Sequence, residues 1–476
     1  MSKAYWDIWN PEVQAKIDRD IDQNRKADVT LQLTNIAKGV EVKVEQISHD
    51  FIFGAHIFNF NQLGTTERNR KYKELYGTLF NSATIAFYWK KFEMQPNRPR
   101  FREEYWDTED YWNQVKEPKK EPHWRRPATD PVVAFCESKN IRLHGHNITW
   151  GILTWQHPEW VFEQFCPEDE KKILNQLGKE ELFKLTPAEI EKQFPVYTKE
   201  LNRLFEKRIT DLAKYYGGRL HSWDVVNESS SDYHGNCLTG DAVCKSVYGH
   251  LMPGDFTYHS FRIADQAFPK SVLLNINDYA NNVNYVNQVK DLQAHGNRID
   301  IMGSQMHLFN PQQCLDIAEG KQIQTPQQVW DIMDVLSKAE LPIHLSEITI
   351  TAPGDDTRGR EIQAVIARNL YRLWFSIKPM MGITWWNVVD DCGAPGEPTT
   401  SGLFTRNMEP KPSFHALDQL INHEWKTSLT LKADKDGKVN FRGFKGQYRI
   451  SWKDKSGKEQ HAEFYLKQNE ELKIKN

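Results

Sequence analysis

Two glutamates, Glu228 and Glu347, sit on short apolar runs in company that a packed interior would not collect. The run LHSWDVVNE (220–228) ends in Asn227 and Glu228, and PIHLSEITI (342–350) carries Glu347. Comparable runs end in or carry other polar groups. IRLHGHNITW (141–150) holds His146 and Trp150, and VLLNINDY (272–279) ends in Asn277, Asp278 and Tyr279. IMGSQMHL (301–308) carries Gln305 and His307, and MGITWWNVV (381–389) carries Trp385, Trp386 and Asn387. Two carboxylates facing each other suit the cleavage of an acetal. One, held protonated, gives its proton to the leaving oxygen; the other, ionised, attacks carbon or activates water. Either glutamate alone reads equally well as a strand-end salt bridge. Amides, imidazoles and carboxylates at matching ends of six runs do not.

These side chains need a frame that brings strand ends together. With FIFGAHIF (51–58) and SATIAFYW (82–89) the chain has eight such runs, separated by longer amphipathic stretches such as ITDLAKYYGG. Strands alternating with helices predict a parallel sheet, and eight strands close a (β/α)8 barrel. A doubly wound open sheet is the alternative, but no Gly-rich phosphate fingerprint follows an early strand. Strands four and seven lie nearly across a barrel, which pairs Glu228 with Glu347. Side chains alternate along a strand, so Gln305 and His307 share one face, as do His146 and Trp150.

Residues 28–48 alternate apolar and polar about a Gly-containing break, which predicts a β-hairpin after an N-terminal helix. Residues 425–476 break into short strands split by Asp, Gly and Lys, a small β-module packed with that hairpin. The expected division is 1–48, a barrel over 49–424, and 425–476. Two outsized loops follow strands: 93–130, with Tyr105, Trp106, Tyr111, Trp112 and Trp124, and 229–258. The first either lines the site or only packs over the barrel rim.

The 476 residues leave room beyond one barrel of roughly 250 residues. A net charge of −3 provides no field to recruit nucleic acid or an anionic membrane. No apolar run approaches the ~20 residues of a membrane span. The 16 Trp and 17 Tyr suit stacking on sugar rings, although most would serve a core. None of the six cysteines forms a C-x-x-C pair, and Cys237 and Cys244 read equally as a small disulfide loop or as two thiols. Histidine spacing matches no metal motif, and the expectation is no cofactor, no metal and a monomer. The start lacks a hydrophobic signal core. A large polysaccharide substrate would call for export, with a signal trimmed away.

In order, WDVVNE, HGHNITW, NINDY, GSQMH, HLSEIT, ITWW and KPSF resemble the motif series of glycoside hydrolase family 10, the endo-β-1,4-xylanase family, over residues 49–420. FIFGAHI resembles its plant and Bacteroidetes-type branch. The resemblance implies Glu228 as acid/base and Glu347 as nucleophile, with retention and carboxyl groups about 5–5.5 Å apart. It implies that Asn227 meets the sugar 2-hydroxyl, that His307 orients Glu347 and that Gln305 lies beside Glu228. Lys90 and His146 would bind hydroxyls on the non-reducing side, Trp150 and Trp386 would be platforms, and Tyr279 would line the aglycone side. The chain departs from the family at substrate positions. Ala86 and Phe87 replace a Glu-Asn pair, and Lys91 replaces a Trp. His144 replaces an Arg, Gly151 a His and Thr349 an Asp, and DDCGAPGEP replaces a second Trp. Weak activity on plain linear xylan is therefore expected, since each lost hydrogen bond is worth about 0.5–1.5 kcal/mol. The competing readings are a non-catalytic carbohydrate-binding protein on a decayed barrel and a barrel glycosidase for another β-glycan.

Overall fold

The computed structural model describes residues 1–152, 154–185, 187–233, 252 and 256–474. All eight runs are parallel strands: β1 (Ile52–His56), β2 (Ser82–Ala86), β3 (Arg142–His146), β4 (Ser222–Asn227), β5 (Leu273–Asp278), β6 (Ile301–Leu308), β7 (Ile343–Ile350) and β8 (Met380–Trp385). Neighbours in sequence pair all the way round. β8 pairs with β1, and His144 and Gly145 of β3 pair with Ser222 and Trp223 of β4 to close the ring. The sheet is thus the expected (β/α)8 barrel rather than an open sheet.

Helices cover the outside because their apolar residues recur at helical spacing. Thr357–Ser376 presents Ile362, Ile366, Leu370 and Leu373 inward, and the Asp356 side chain caps it by accepting from Gly359 N. Pro326–Ser337 starts with Pro at its first position and a reciprocal Thr325/Gln328 cap, satisfying N–H groups the helix cannot. Inside the barrel, two glycines make room for large neighbours. A Cβ at Gly145 would lie 2.3 Å from the Trp223 ring, and one at Gly303 would lie 2.6 Å from Asn277 Oδ1.

The terminal strands depart from the expected hairpin. Lys26–Leu33 and Glu41–His49 are both strands, but they belong to different sheets. Lys26–Leu33 lies between Lys438–Phe444 (antiparallel) and Glu470–Ile474 (parallel). Glu41–His49 lies between Ser428–Lys432 and Gly446–Lys453, the latter followed by Glu459–Leu466. Each N-terminal strand alternates, so each has one apolar face to bury. The link at 34–40 carries the chain across from one sheet to the other, and Val29, Leu31, Val42 and Val44 meet Phe441, Tyr448 and Ile450 between them. As expected, the C-terminal strands pack with the N-terminal ones.

The segment 93–130 packs over the rim and is pinned by charge. Asp107 accepts from Arg125 Nε at 2.9 Å and Nη2 at 3.0 Å and also pairs with Arg100, with all three side chains buried. Trp112 is buried beneath this cluster, and Trp106 stacks on His123. Removing one partner of a buried ion pair leaves an uncompensated charge, at a cost of about 3–5 kcal/mol. Asp107→Ala should therefore lower the unfolding free energy by that amount, measured by chemical denaturation. A change under about 1 kcal/mol would mean that water already solvates both guanidinium groups.

Candidate active site

The C-terminal ends of the strands surround a cavity of about 730 Å³. His146, Trp150, Asn227, Glu228, Tyr279, Gln305, His307, Glu347 and Trp386 all line it, which is the expected set with one exception. Lys90 does not. It sits in the short helix Trp89–Phe92, pairs with Glu159 at 3.2 Å, and is not part of the lining. A helical turn directly after β2 carries its side chain round to that acid.

Glu347 is held from three sides. Asn277 Nδ2 donates to Oε1 at 2.9 Å, and His307 Nε2 stands 3.3 Å from Oε2. His146 Nε2 faces Oε1 at 3.8 Å. Asn277 also donates to Asn227 Oδ1 at 2.8 Å and takes the Ser346 hydroxyl on its own carbonyl, so one buried amide sets two functional side chains. Gly303 is what allows Asn277 that position. With its carbonyl engaged, Asn227 has its NH2 end to offer a ligand.

Glu228 follows β4 in the left-handed region, φ 53°, its N–H donating to Asn277 O at 2.7 Å. A non-glycine residue there is strained, and such strain clusters at functional sites. Gln305 Nε2 donates to Glu228 Oε1 at 3.1 Å. Asp278 fixes the turn that follows, accepting from Ser230 N at 2.8 Å.

Behind the cavity, Asp224 accepts from His146 Nδ1 at 2.8 Å and His144 Nε2 at 2.9 Å. The paired histidines are thus joined through a carboxylate. Burial opposes ionisation of Asp224, but the charge and hydrogen bonds of His144 and His146 outweigh it and hold the carboxyl well below the usual range. Burial likewise disfavours charge on His146, yet the bond to Asp224 and the carboxylates Glu347, Asp224 and Glu228 raise its pKa. His307 differs. Its Nδ1 meets Thr349 Oγ1 at 2.9 Å, a hydroxyl where the family pattern has a carboxylate, and its ring stacks on Phe309.

Several lining residues were not among the sequence candidates: Tyr88, Arg126, Trp155, Phe309 and Glu397. All lie outside the apolar strand runs except Tyr88, whose aromatic neighbours mask it. Of segment 93–130 only Arg126 reaches the lining; Trp106 and Trp112 do not. Glu397 comes from the DDCGAPGEP stretch and accepts from Trp386 Nε1 at 3.3 Å. Trp385 is core, its Nε1 donating to Asn387 O at 2.9 Å. Cys237 and Cys244, with most of the 229–258 loop, lie outside the described residues. No helix among the described residues is long and apolar enough to cross a membrane.

The family model for glycosyl hydrolase family 10 matches residues 45–420. Endo-1,4-beta-xylanase C of Paenibacillus barcinonensis is 26% identical over 408 residues, covering 80% of this chain and 32% of that protein. Anti-sigma-I factor RsgI6 of Acetivibrio thermocellus is 26% identical over 322 residues, 68% of this chain and 34% of its own. The chain therefore spans about a third of the length of these curated relatives. Among solved structures, native xylanase 10B of Thermotoga maritima superposes with a TM-score of 0.51 at 18% identity, covering 79% of this chain and 96% of that one. At such identity the likeness speaks to the fold alone.

Proposed function

The chain belongs to glycosyl hydrolase family 10, and from that premise we propose that it is a retaining hydrolase of a β-linked polysaccharide, a xylan or a decorated xylan-like glycan. The observation that carries this reading is the pair of glutamates on one cavity, each held by its own amide donor.

In this reading Glu347, fixed by Asn277 and His307, attacks the anomeric carbon as the glycosidic bond breaks. Gln305 donates to Glu228 Oε1 and holds the acid in place, and the acid's proton passes to the leaving oxygen. The product is a covalent glycosyl-enzyme. Glu228, now ionised, takes a proton from water as the water displaces Glu347, and the configuration is retained. Asn227 donates to the 2-hydroxyl, a contact that strengthens as the oxocarbenium-like transition state forms. His146, backed by Asp224, faces Oε1 of the nucleophile while His307 meets Oε2. Trp150 and Trp386 give the sugar apolar faces, and Tyr279 serves the aglycone side. A polymeric substrate argues for action outside the cytoplasm, and nothing in the chemistry needs a second copy of the chain.

The test has two parts. Product analysis on linear xylan, glucuronoxylan, arabinoxylan, β-glucan and mannan identifies the polymer; silence on every polymer overturns hydrolysis. Glu228→Ala should then cost about 10²–10⁴-fold on the polymer and far less on an aryl glycoside whose leaving group needs no proton. Equal losses on both would remove Glu228 from the acid role. Glycan binding without turnover is the second reading, favoured by the hydroxyl of Thr349 standing beside His307 where the family pattern has a carboxylate. Under it, Glu228→Ala would leave glycan affinity unchanged and there would be no turnover to lose.

A further inference from the structure

Three buried arginines stand close together in the segment over the barrel rim, and they are treated differently. Arg100 and Arg125 share Asp107. Arg126 is only 8% exposed, yet no carboxylate of the described residues lies within ion-pair distance of it, and its Nε has no partner. What holds it is aromatic. The guanidinium lies over Phe58 at 4.8 Å and over Trp124 at 4.9 Å. Its backbone carbonyl accepts from Arg100 Nη2 at 3.0 Å, so its position is fixed from behind. The side chain lines the catalytic cavity.

A buried cation without a direct ion pair is costly, and the charge of Glu397 offsets only part of that cost. Glu397 lines the same cavity, but its oxygens take the Trp386 indole and the Ala394 N–H, and it makes no direct pair with Arg126. The wall on the β2 side supplies no acid either: Ala86 packs with Phe58 and Trp386 in an apolar cluster. A guanidinium clamped between two rings has its planar edge as its means of contact, and that edge matches a carboxylate with two parallel hydrogen bonds.

We propose that Arg126 is a specificity-determining residue that binds the carboxylate of a uronic acid carried by the glycan in the catalytic cavity. The proposal deepens the hydrolase reading by naming the decoration, and it rests on that reading for the glycan. Polymer without the acid would leave the cation unmatched, in keeping with the weak action expected on plain linear xylan.

Binding tests it without turnover. Glu347→Ala protein is titrated calorimetrically with glucuronic-acid-substituted xylo-oligosaccharides and with the same oligosaccharides after carboxyl reduction. Methyl β-glucuronoside and methyl β-glucoside are compared by saturation-transfer NMR, which removes dependence on the backbone sugar. The acid forms should bind at least tenfold more tightly, and Arg126→Gln in the same background should abolish the difference. Arg126→Lys keeps the charge without the fork and should retain part of it, which guards against a Gln variant that misfolds. Equal affinity for acid and neutral forms, or binding of neither, overturns the proposal. A protein that cleaves neutral glycans with no acid preference overturns only this role for Arg126. One that prefers the acid but cleaves nothing overturns only the hydrolase reading.

Discussion

Replacing Glu347 with alanine is expected to lower kcat/KM on any cleaved glycan by on the order of 10⁴-fold, about 5 kcal/mol of transition-state stabilisation. In the proposed mechanism the attacking carboxylate needs both its charge and its place. Asn277 and His307 supply the place, at 2.9 Å and 3.3 Å from its two oxygens. Azide added to the variant should occupy the vacated volume and return part of the activity. In the Glu347→Ala background it attacks from the nucleophile's side, giving a glycosyl azide of inverted configuration. In Glu228→Ala it intercepts the glycosyl-enzyme from the other face, giving the retained one. The same configuration from both variants would mean the two roles are wrongly assigned. A loss below tenfold in Glu347→Ala would remove it from the chemistry.

The second large effect is on stability, and its sign follows from buried histidines. Burial pushes His56 and His344 down to about 3, the charges of Arg126 and of His144 respectively adding to the effect. In the unfolded chain each titrates near 6.5. Their neutral forms therefore favour the native state fully above about pH 6.5, and that advantage is lost as pH falls through 6.5 toward 3. His146 has the opposite sign. Its folded pKa is raised, so its contribution is complete below 6.5 and lost as pH rises through the folded value. With two lowered histidines against one raised, stability should still be rising at pH 6.5. From pH 6.5 down to pH 5, His56 and His344 together should cost about 3 kcal/mol. With an unfolding entropy of about 2.1 cal/mol/K per residue, that is a Tm lower by about 3 °C. Burial pushes His49 down to about 4 as well, so in His344→Gln, which keeps a polar group beside Thr384 Oγ1, the pH 6.5-to-5 loss should shrink by about 1.6 kcal/mol in calorimetric scans. An unchanged slope would mean that His344 is protonated without unfolding.

The barrel was legible because each of its strands is a local signal. An apolar run with polar groups at or near its C-terminal end, as in those that carry Asn227, Asp278 and His307, states both that it is buried and where the water begins. The site residues on those runs were legible for the same reason, and Glu228, Glu347, Gln305 and His307 stand on one cavity. What escaped was non-local. Nothing between 33 and 41 tells the chain to cross between sheets rather than turn back. The partners of Lys26–Leu33 lie some four hundred residues further on. Arg126 and Glu397 carried no signal in their own surroundings, since each is one charge in a polar loop and only folding brings them to the cavity. That Lys90 stands in a short helix and pairs with Glu159 was likewise not to be read from its motif.

The crossed pairing of the terminal strands also has a consequence for the chain as it is made. Lys26–Leu33 leaves the ribosome before the barrel, amphipathic and with both edges open, and its neighbours at 438–444 and 470–474 emerge only after the whole barrel. At about 5–20 residues per second, that strand waits tens of seconds for a partner. During that interval it is an open edge of the kind that pairs with other chains. Crowded synthesis is therefore the setting in which this fold is most exposed to mispairing. A chain stalled just short of residue 438 would carry a finished barrel and an unguarded edge.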